Sequence, residues 1–179
     1  MDRTLYHIHP ANRYALFFGP AKGQPPRGRW DAPNGKFRVC YLAEKPSTAF
    51  AETFLREPGV MVLEAEDLAA RSLAIVQILA PLRLVAMHGQ GLHALGATAA
   101  SCTGDYAASR AWSAALHAHP EKPDGIRYRA RHDDDGFAIA LFDRAENSVA
   151  DMDGAPLTDP ANRLRLAESL NRYGIGLLG

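Results

Sequence analysis

Three residues that could carry chemistry follow one another near the N-terminus, within 24 positions: Arg29, Tyr41 and Glu52. Arginine presents a planar, permanently charged fork that suits phosphate groups, and a carboxylate can stabilise a developing positive charge. Phe50 and Phe54 are spaced to face a core from one helix, so Glu52 lies off their stripe. Each residue alone is ordinary, but their order predicts one site built by a loop, a strand and a helix.

Trp30 raises a separate question, because it lies beside Arg29 in a loop punctuated by glycine and proline, RGRWDAPNG. An indole in such a loop either fills the core or forms a rigid wall of a binding site. Structureless loops of this length are uncommon in compact domains and are usually functional or disordered. The neighbouring arginine favours a functional loop.

Other groups with possible chemistry lack a supporting pattern. The pairs His7/His9 and His117/His119 could bind a metal, but no cysteine or carboxylate completes either set at ligand spacing. The acidic run 133–135 lacks the spacing of a calcium loop, and the P-loop and GxSxG motifs are absent from the sequence. We therefore predict no metal site.

The composition bounds the class of protein. The chain has 179 residues, with Lys plus Arg equal to Asp plus Glu at 20 each, and 47% hydrophobic residues. Such a length predicts one domain over 1–179, and the neutral balance gives no electrostatic footprint for nucleic acid or membrane partners. With Cys40 and Cys102 in no close motif, no signal-peptide pattern and an apolar stretch that is repeatedly interrupted, we expect a cytoplasmic protein with reduced thiols.

Hydrophobic patterning predicts a mixture of strands and helices without regular βαβ alternation, which is typical of an α+β fold. The predicted strands cover residues 4–9, 13–18, 37–42, 60–65, 72–79, 83–87, 125–129 and 137–143. The predicted helices begin at Pro46 and end before Pro58, and then cover residues 90–97, 105–119 and 159–173, with Gly174 as the last C-cap.

Four stretches in this order resemble the RES domain family: RGRWDAP, CYLAE, STAFAETF and GIRYRARHDD. The resemblance is strongest over residues 4–143. It implies a compact α+β domain similar to the ADP-ribosyltransferase core. It also implies a toxin of a toxin–antitoxin operon that is paired with an Xre-type antitoxin and consumes NAD+ as substrate, without a metal.

The family pattern matches this chain at Arg29, Tyr41 and Glu52, which are therefore the expected catalytic residues. The implied roles are a pyrophosphate clamp for Arg29, a nicotinamide-holding ring for Tyr41 and a carboxylate beside the ribose for Glu52. Trp30 is the loop anchor or a wall for the adenine. Arg29, Trp30 and Tyr41 are thus the expected residues for binding the NAD+.

The chain departs from the family at Ala130, where a serine is expected after GIRYR. The resemblance leaves several functions open. A mono-ADP-ribosyltransferase acting on a bacterial protein is our first expectation, and an NAD+ glycohydrolase or phosphorylase is the close alternative. A catalytically inactive binding module is a further alternative, for which Ala130 would be the sign.

Overall fold

The computed structural model describes residues 4–21, 23–152 and 154–179. Its strands are β1 (Thr4–Pro10), β2 (Val39–Ala43), β3 (Val62–Glu64), β4 (Arg71–Ile78), β5 (Leu84–Met87), β6 (Gly125–Arg129), β7 (Phe137–Phe142), β8 (Val149–Asp151), β9 (Ala155–Pro156) and β10 (Gly176–Leu178). Its helices are α1 (Pro46–Phe54), α2 (Ala65–Ala69), α3 (Gln90–Ala94), α4 (Ala100–Thr103), α5 (Tyr106–Ala118) and α6 (Arg163–Tyr173), with 3-10 turns at Asp143–Ser148 and Pro160–Asn162.

One mixed sheet organises the fold, in the strand order β5-β6-β7-β2-β1-β4-β8, with β9 paired to β4. Strands β5 and β6 run parallel, because helices α3 to α5 cross over between them, and the other pairs in this sheet are antiparallel. A separate parallel pair joins β3 to β10. This mixed sheet with flanking helices confirms the α+β prediction.

Successive side chains of strand β2 point to opposite faces of the sheet. Cys40 and Leu42 point into a core on one face, which the irregular segment 11–20 helps to cover. Tyr41 points to the opposite face, where two further core clusters form around Trp30 and Phe50. The helices α1, α5 and α6 contribute to these two clusters, so the helical layer lies on the side of Tyr41.

The strand predicted at residues 13–18 is wrong. Its apolar side chains pack over one face of the sheet, in the core that contains Cys40 and Leu42, and within the described ranges the only nearby ladder contact is a single bridge between Gly19 and Val39. The segment is irregular chain, with Tyr14 left exposed.

Local signals set the helix ends where the sequence predicts them. Pro46 occupies the first turn of α1, where its missing N–H costs no intrahelical hydrogen bond. Asp105 caps α5 by accepting a hydrogen bond from the amide of Ala107 at 3.1 Å. Gly174 ends α6 in the left-handed conformation, with φ 64°. Among the described residues, no helix has the length and apolarity that a membrane span requires.

Candidate active site

A cavity of about 310 Å³ opens on the helical face of the sheet and contains all three residues singled out by their spacing. Strand β2 supplies Tyr41 to its floor, the loop before β2 supplies Arg29 to one wall, and α1 supplies Glu52 to another. Other lining residues come from β1, from the start of α5, from β6 and from the segment that follows β6: Tyr6, Tyr106, Tyr128, Arg131 and His132. The structure therefore brings Arg29, Tyr41 and Glu52 together.

Arg29 is a buried cation whose two terminal nitrogens, Nη1 and Nη2, have different surroundings. Its Nη1 donates to the carbonyl of Gly104 at 2.8 Å and to the hydroxyl of Ser109 at 3.1 Å. The guanidinium carbon lies 4.5 Å from the centre of the Tyr106 ring. Its Nη2 is buried, and no described residue gives it a hydrogen-bond partner. Because an unpaired buried donor is costly, this nitrogen is poised for an acceptor that enters the cavity.

A buried carboxylate fixes the loop that carries Arg29. Asp31 is 2% exposed, and its side chain accepts hydrogen bonds from the amides of Arg27 at 2.8 Å and Gly28 at 2.6 Å. It also accepts a hydrogen bond from the Tyr41 hydroxyl at 2.8 Å. A Cβ at position 28 would lie 2.2 Å from that hydroxyl oxygen, so only glycine lets the loop rest on the tyrosine.

The hydroxyl of Tyr41 is fully occupied by this loop. Besides donating to Asp31, it accepts a hydrogen bond from the amide of Trp30 at 2.9 Å. Burial and the negative charge of Asp31 raise the pKa of Tyr41 above its ordinary value. The ring of Tyr41 can therefore contact a ligand, while its hydroxyl forms hydrogen bonds with the loop.

Glu52 presents a carboxylate with one oxygen already oriented. Its Oε1 accepts a hydrogen bond from the backbone amide of His132 at 2.8 Å. Burial, with a smaller contribution from the charge of Glu52, raises the pKa of the neighbouring Tyr128 hydroxyl. Burial lowers the pKa of the His132 ring, against the opposing effect of Glu52. A negative carboxylate and two neutral side chains thus border the same part of the cavity.

The structure places Trp30 behind the wall and not on its surface, since its side chain is fully buried. The indole packs against Tyr128, with 5.3 Å between ring centres, and belongs to the core cluster beneath α5. Its carbonyl accepts a hydrogen bond from the buried Ser113 hydroxyl at 2.5 Å. A ring without exposed surface cannot contact a ligand in this conformation. The assignment of Trp30 to substrate binding is therefore corrected to that of loop anchor.

We expect Trp30→Ala to lower the free energy of unfolding by about 3–5 kcal/mol, because it empties a large buried volume. Trp112→Ala is a matched control from the same cluster, since Trp112 is only partly buried there. Urea denaturation of both variants checks the expectation. A loss for Trp30→Ala no greater than that for Trp112→Ala would contradict the anchoring role.

Sequence analysis missed several residues that line the cavity. Tyr128, Arg131 and His132 belong to the stretch GIRYRARHDD, which carried the family resemblance, but spacing alone did not place it beside Glu52. Tyr106 opens α5, and the pattern of that helix predicts no role for it in the site. Asp31 follows the tryptophan directly, and its position in a turn-rich loop was the available signal for its capping role.

Ala130 and His7 both lie in surroundings that explain them by packing and hydrogen bonding. Ala130 is buried in the core cluster of Trp30, and its amide donates to the carbonyl of Gly136 at 3.0 Å. The ring of His7 bonds the carbonyl of Ala15 at 2.6 Å, and burial lowers the pKa of this histidine to about 4. Within the described ranges, no cluster of three or more His, Cys, Asp or Glu side chains could hold a metal ion.

Known proteins share this fold and this sequence pattern. A chain in the crystal structure of the M. tuberculosis MbcT–MbcA toxin–antitoxin complex superposes with a TM-score of 0.67 at 20% sequence identity, covering 92% of this chain and 89% of that one. No curated protein sequence matches the chain. The family model of the RES domain matches residues 4–163. The chain therefore belongs to the RES domain family.

Proposed function

We propose that this protein is the toxin of a toxin–antitoxin pair and that it cleaves the nicotinamide–ribose bond of NAD+. The observation that carries the proposal is one cavity in which a buried guanidinium with an unpaired N–H, Arg29, shares the space with the carboxylate of Glu52. NAD+ offers a partner to each group, a pyrophosphate and a ribose. Family membership and the fold of a toxin–antitoxin complex support the same proposal.

Arg29 would clamp the pyrophosphate. Its Nη1 bonds to Gly104 and Ser109 hold the guanidinium plane in place before any ligand arrives. A phosphate oxygen would then satisfy the free Nη2 with a charge-assisted hydrogen bond. Since the side chain is already ordered, little conformational entropy is lost when the pyrophosphate binds.

Glu52 would act at the ribose. When the bond between ribose C1′ and the nicotinamide nitrogen breaks, its electron pair leaves with neutral nicotinamide, and C1′ acquires oxocarbenium character. The negative carboxylate stabilises this positive charge and can accept a hydrogen bond from the 2′-hydroxyl. The His132 amide holds one carboxylate oxygen, which leaves the other available to the ribose.

Aromatic rings would hold the flat nicotinamide as it departs. Tyr41, Tyr106 and Tyr128 all line the cavity, and an aromatic face stacks readily on a planar ring. The raised pKa values of Tyr41 and Tyr128 keep both phenols neutral, so neither adds a negative charge that would oppose the release of nicotinamide.

We propose a bacterial protein side chain as the first candidate for the group that attacks C1′, which makes the enzyme a mono-ADP-ribosyltransferase. The cavity volume of about 310 Å³ is at the lower end of small-molecule sites, roughly 300–1,000 Å³. Part of a dinucleotide would therefore extend over the rim, where a protein acceptor can approach. The attacking atom forms a bond to C1′ and loses its proton.

Orthophosphate is the second candidate acceptor, and water is the third. Three exposed arginines, Arg27, Arg56 and Arg131, line the mouth of the cavity, and none of them forms an ion pair among the described residues. Such a group of cations favours a small anion.

An inactive binding module is disfavoured, because Ala130 does not line the cavity and its missing hydroxyl leaves Arg29 and Glu52 in place.

Incubation with NAD+ labelled in its adenylate part tests the proposal and separates the acceptors. We expect free nicotinamide, together with a labelled protein band when bacterial lysate is present. ADP-ribose 1-phosphate that appears only when phosphate is added would indicate phosphorolysis, and free ADP-ribose would indicate hydrolysis. Absence of nicotinamide release and of growth arrest on expression would overturn the enzymatic proposal.

We also expect a protein partner that blocks the cavity, as an Xre-type antitoxin would. The three rim arginines predict that the blocking segment is acidic or ends in a free carboxylate near Arg29 and Glu52. Co-expression with the product of the adjacent gene, followed by purification through a tag on one partner, should recover both and relieve growth arrest. Recovery of this chain alone, soluble and harmless, would contradict the expectation.

A further inference from the structure

The loop between β6 and β7 is attached to α1 through two buried polar side chains that the proposed chemistry leaves unused. Thr48 is 0% exposed and Asp133 is 6% exposed. The Thr48 hydroxyl donates to Oδ2 of Asp133 at 2.6 Å. A Cβ on Gly136 would lie 2.3 Å from both of these oxygen atoms, so the loop backbone lies directly against the pair.

Helix α6 supports the same pair from outside. Nη2 of Arg172 lies 3.4 Å from Oδ1 of Asp133, so each carboxylate oxygen has a partner on a different element. The next residue, Tyr173, donates its hydroxyl to the carbonyl of Ser47 at 3.2 Å. Its ring stacks on Phe50 of α1, with centres 6.2 Å apart and planes 5° apart. The end of α6 thus closes over α1 and the loop together.

The loop reaches Glu52 through the residue that precedes Asp133. The backbone amide of His132 donates to Oε1 of Glu52 at 2.8 Å. Thr48 and Glu52 are four residues apart on α1, so they lie one helical turn from each other. The position of that amide therefore depends on where Thr48 holds Asp133.

We infer that Thr48 and Asp133 are positioning residues that set the Glu52 carboxylate through the His132 amide, with Arg172 as their outer support. The inference rests on the proposed function, in which Glu52 stabilises charge at the ribose. A carboxylate on a half-exposed helix face has several accessible rotamers, and a fixed amide selects one of them. Small errors in the placement of a reacting group have large effects on rate.

Thr48→Val removes only the hydroxyl and keeps the branched shape, whereas Thr48→Ser keeps the hydroxyl. We expect Thr48→Val to lower kcat for nicotinamide release about ten- to a hundredfold, with KM for NAD+ little changed because Arg29 is untouched. Thr48→Ser should restore most of the rate. The exchange of the His132 amide with deuterium should be faster in Thr48→Val than in Thr48→Ser.

Arg172→Gln gives a second test that leaves the buried pair intact, since 39% of this side chain is exposed. We expect about a two- to fivefold lower kcat, as for the loss of an exposed ion pair, together with faster exchange of the His132 amide. Arg165→Gln is the matched control on the same helix, because among the described residues the Arg165 side chain bonds only the carbonyl of Ala161. It should match the parent in both measurements.

Two outcomes separate this inference from the proposed function. A folded Thr48→Val variant with the parent's kcat, or with unchanged exchange of the His132 amide, would overturn the positioning role. A parent protein that releases no nicotinamide would overturn the proposed function, and the exchange measurements would still decide whether Thr48 and Arg172 hold the loop. If Thr48→Val does not fold, unchanged exchange in Arg172→Gln overturns the outer support, and faster exchange supports it.

Discussion

Glu52→Gln should slow nicotinamide release about a hundred- to a thousandfold, which is the range for losing a main electrostatic contribution to a transition state. Glutamine keeps the length and the helix propensity of glutamate, and its oxygen can still accept the hydrogen bond of the His132 amide. What it loses is the negative charge that, under the proposed function, stabilises the oxocarbenium-like ribose. The measurement is nicotinamide release by the purified variant under conditions that saturate the parent with NAD+.

The fold should be unaffected, so the melting temperature of Glu52→Gln should stay within a few degrees of the parent value. Glu66→Gln is a suitable control, because Glu66 is an exposed residue in the first turn of α2 and does not line the cavity. If Glu52→Gln remains folded and works at a rate within a fewfold of the parent, the carboxylate is not the charge-stabilising group.

Arg29→Lys should damage activity nearly as much as Arg29→Ala. The guanidinium uses Nη1 for Gly104 and Ser109, and the proposed function assigns Nη2 to the phosphate; a single ammonium cannot serve both directions at once. Losing one charge-assisted bond costs roughly 1.5–3 kcal/mol, which corresponds to about ten- to over a hundredfold in NAD+ use. Nicotinamide release at low NAD+ concentration, which reports kcat/KM, is the appropriate measurement.

Thermal melting must accompany this experiment, because Arg29 also fixes the Gly104 carbonyl and the Ser109 hydroxyl. Arg38→Lys serves as the control, since Arg38 pairs with Asp143 and Glu146 at the surface, away from the cavity. A folded Arg29→Lys protein with the parent's kcat/KM would show that Arg29 is not a phosphate clamp.

Prediction from the sequence succeeded where the signals were local. Proline at the start of α1 and glycine after α6 determine helix ends through the conformations that these residues allow on their own. The order of loop arginine, strand tyrosine and helix glutamate placed Arg29, Tyr41 and Glu52 on consecutive elements. Such elements usually pack beside one another, so their convergence on one cavity could be predicted without the fold.

Prediction failed where pairing or burial decides the structure. Residues 13–18 have the composition of a strand, but their side chains pack over one face of the sheet and do not extend it. Trp30 is a residue type that can stack on a ligand, but its side chain is completely buried in the core beneath α5. Neither the way a segment packs on a sheet nor the space that a core offers to a side chain can be predicted from a single stretch of sequence.

The family resemblance and the order of the three candidate site residues were determined by the sequence alone, because both rest on residue types at close spacing. Only the tertiary structure decided how the site is held. The Glu52–His132 hydrogen bond joins residues 80 positions apart, and the Thr48–Asp133 bond joins residues 85 positions apart. Because β2 pairs with β7, the helix α1 that follows β2 lies close to the loop that precedes β7. Contacts over such separations follow from strand order, which no local pattern specifies.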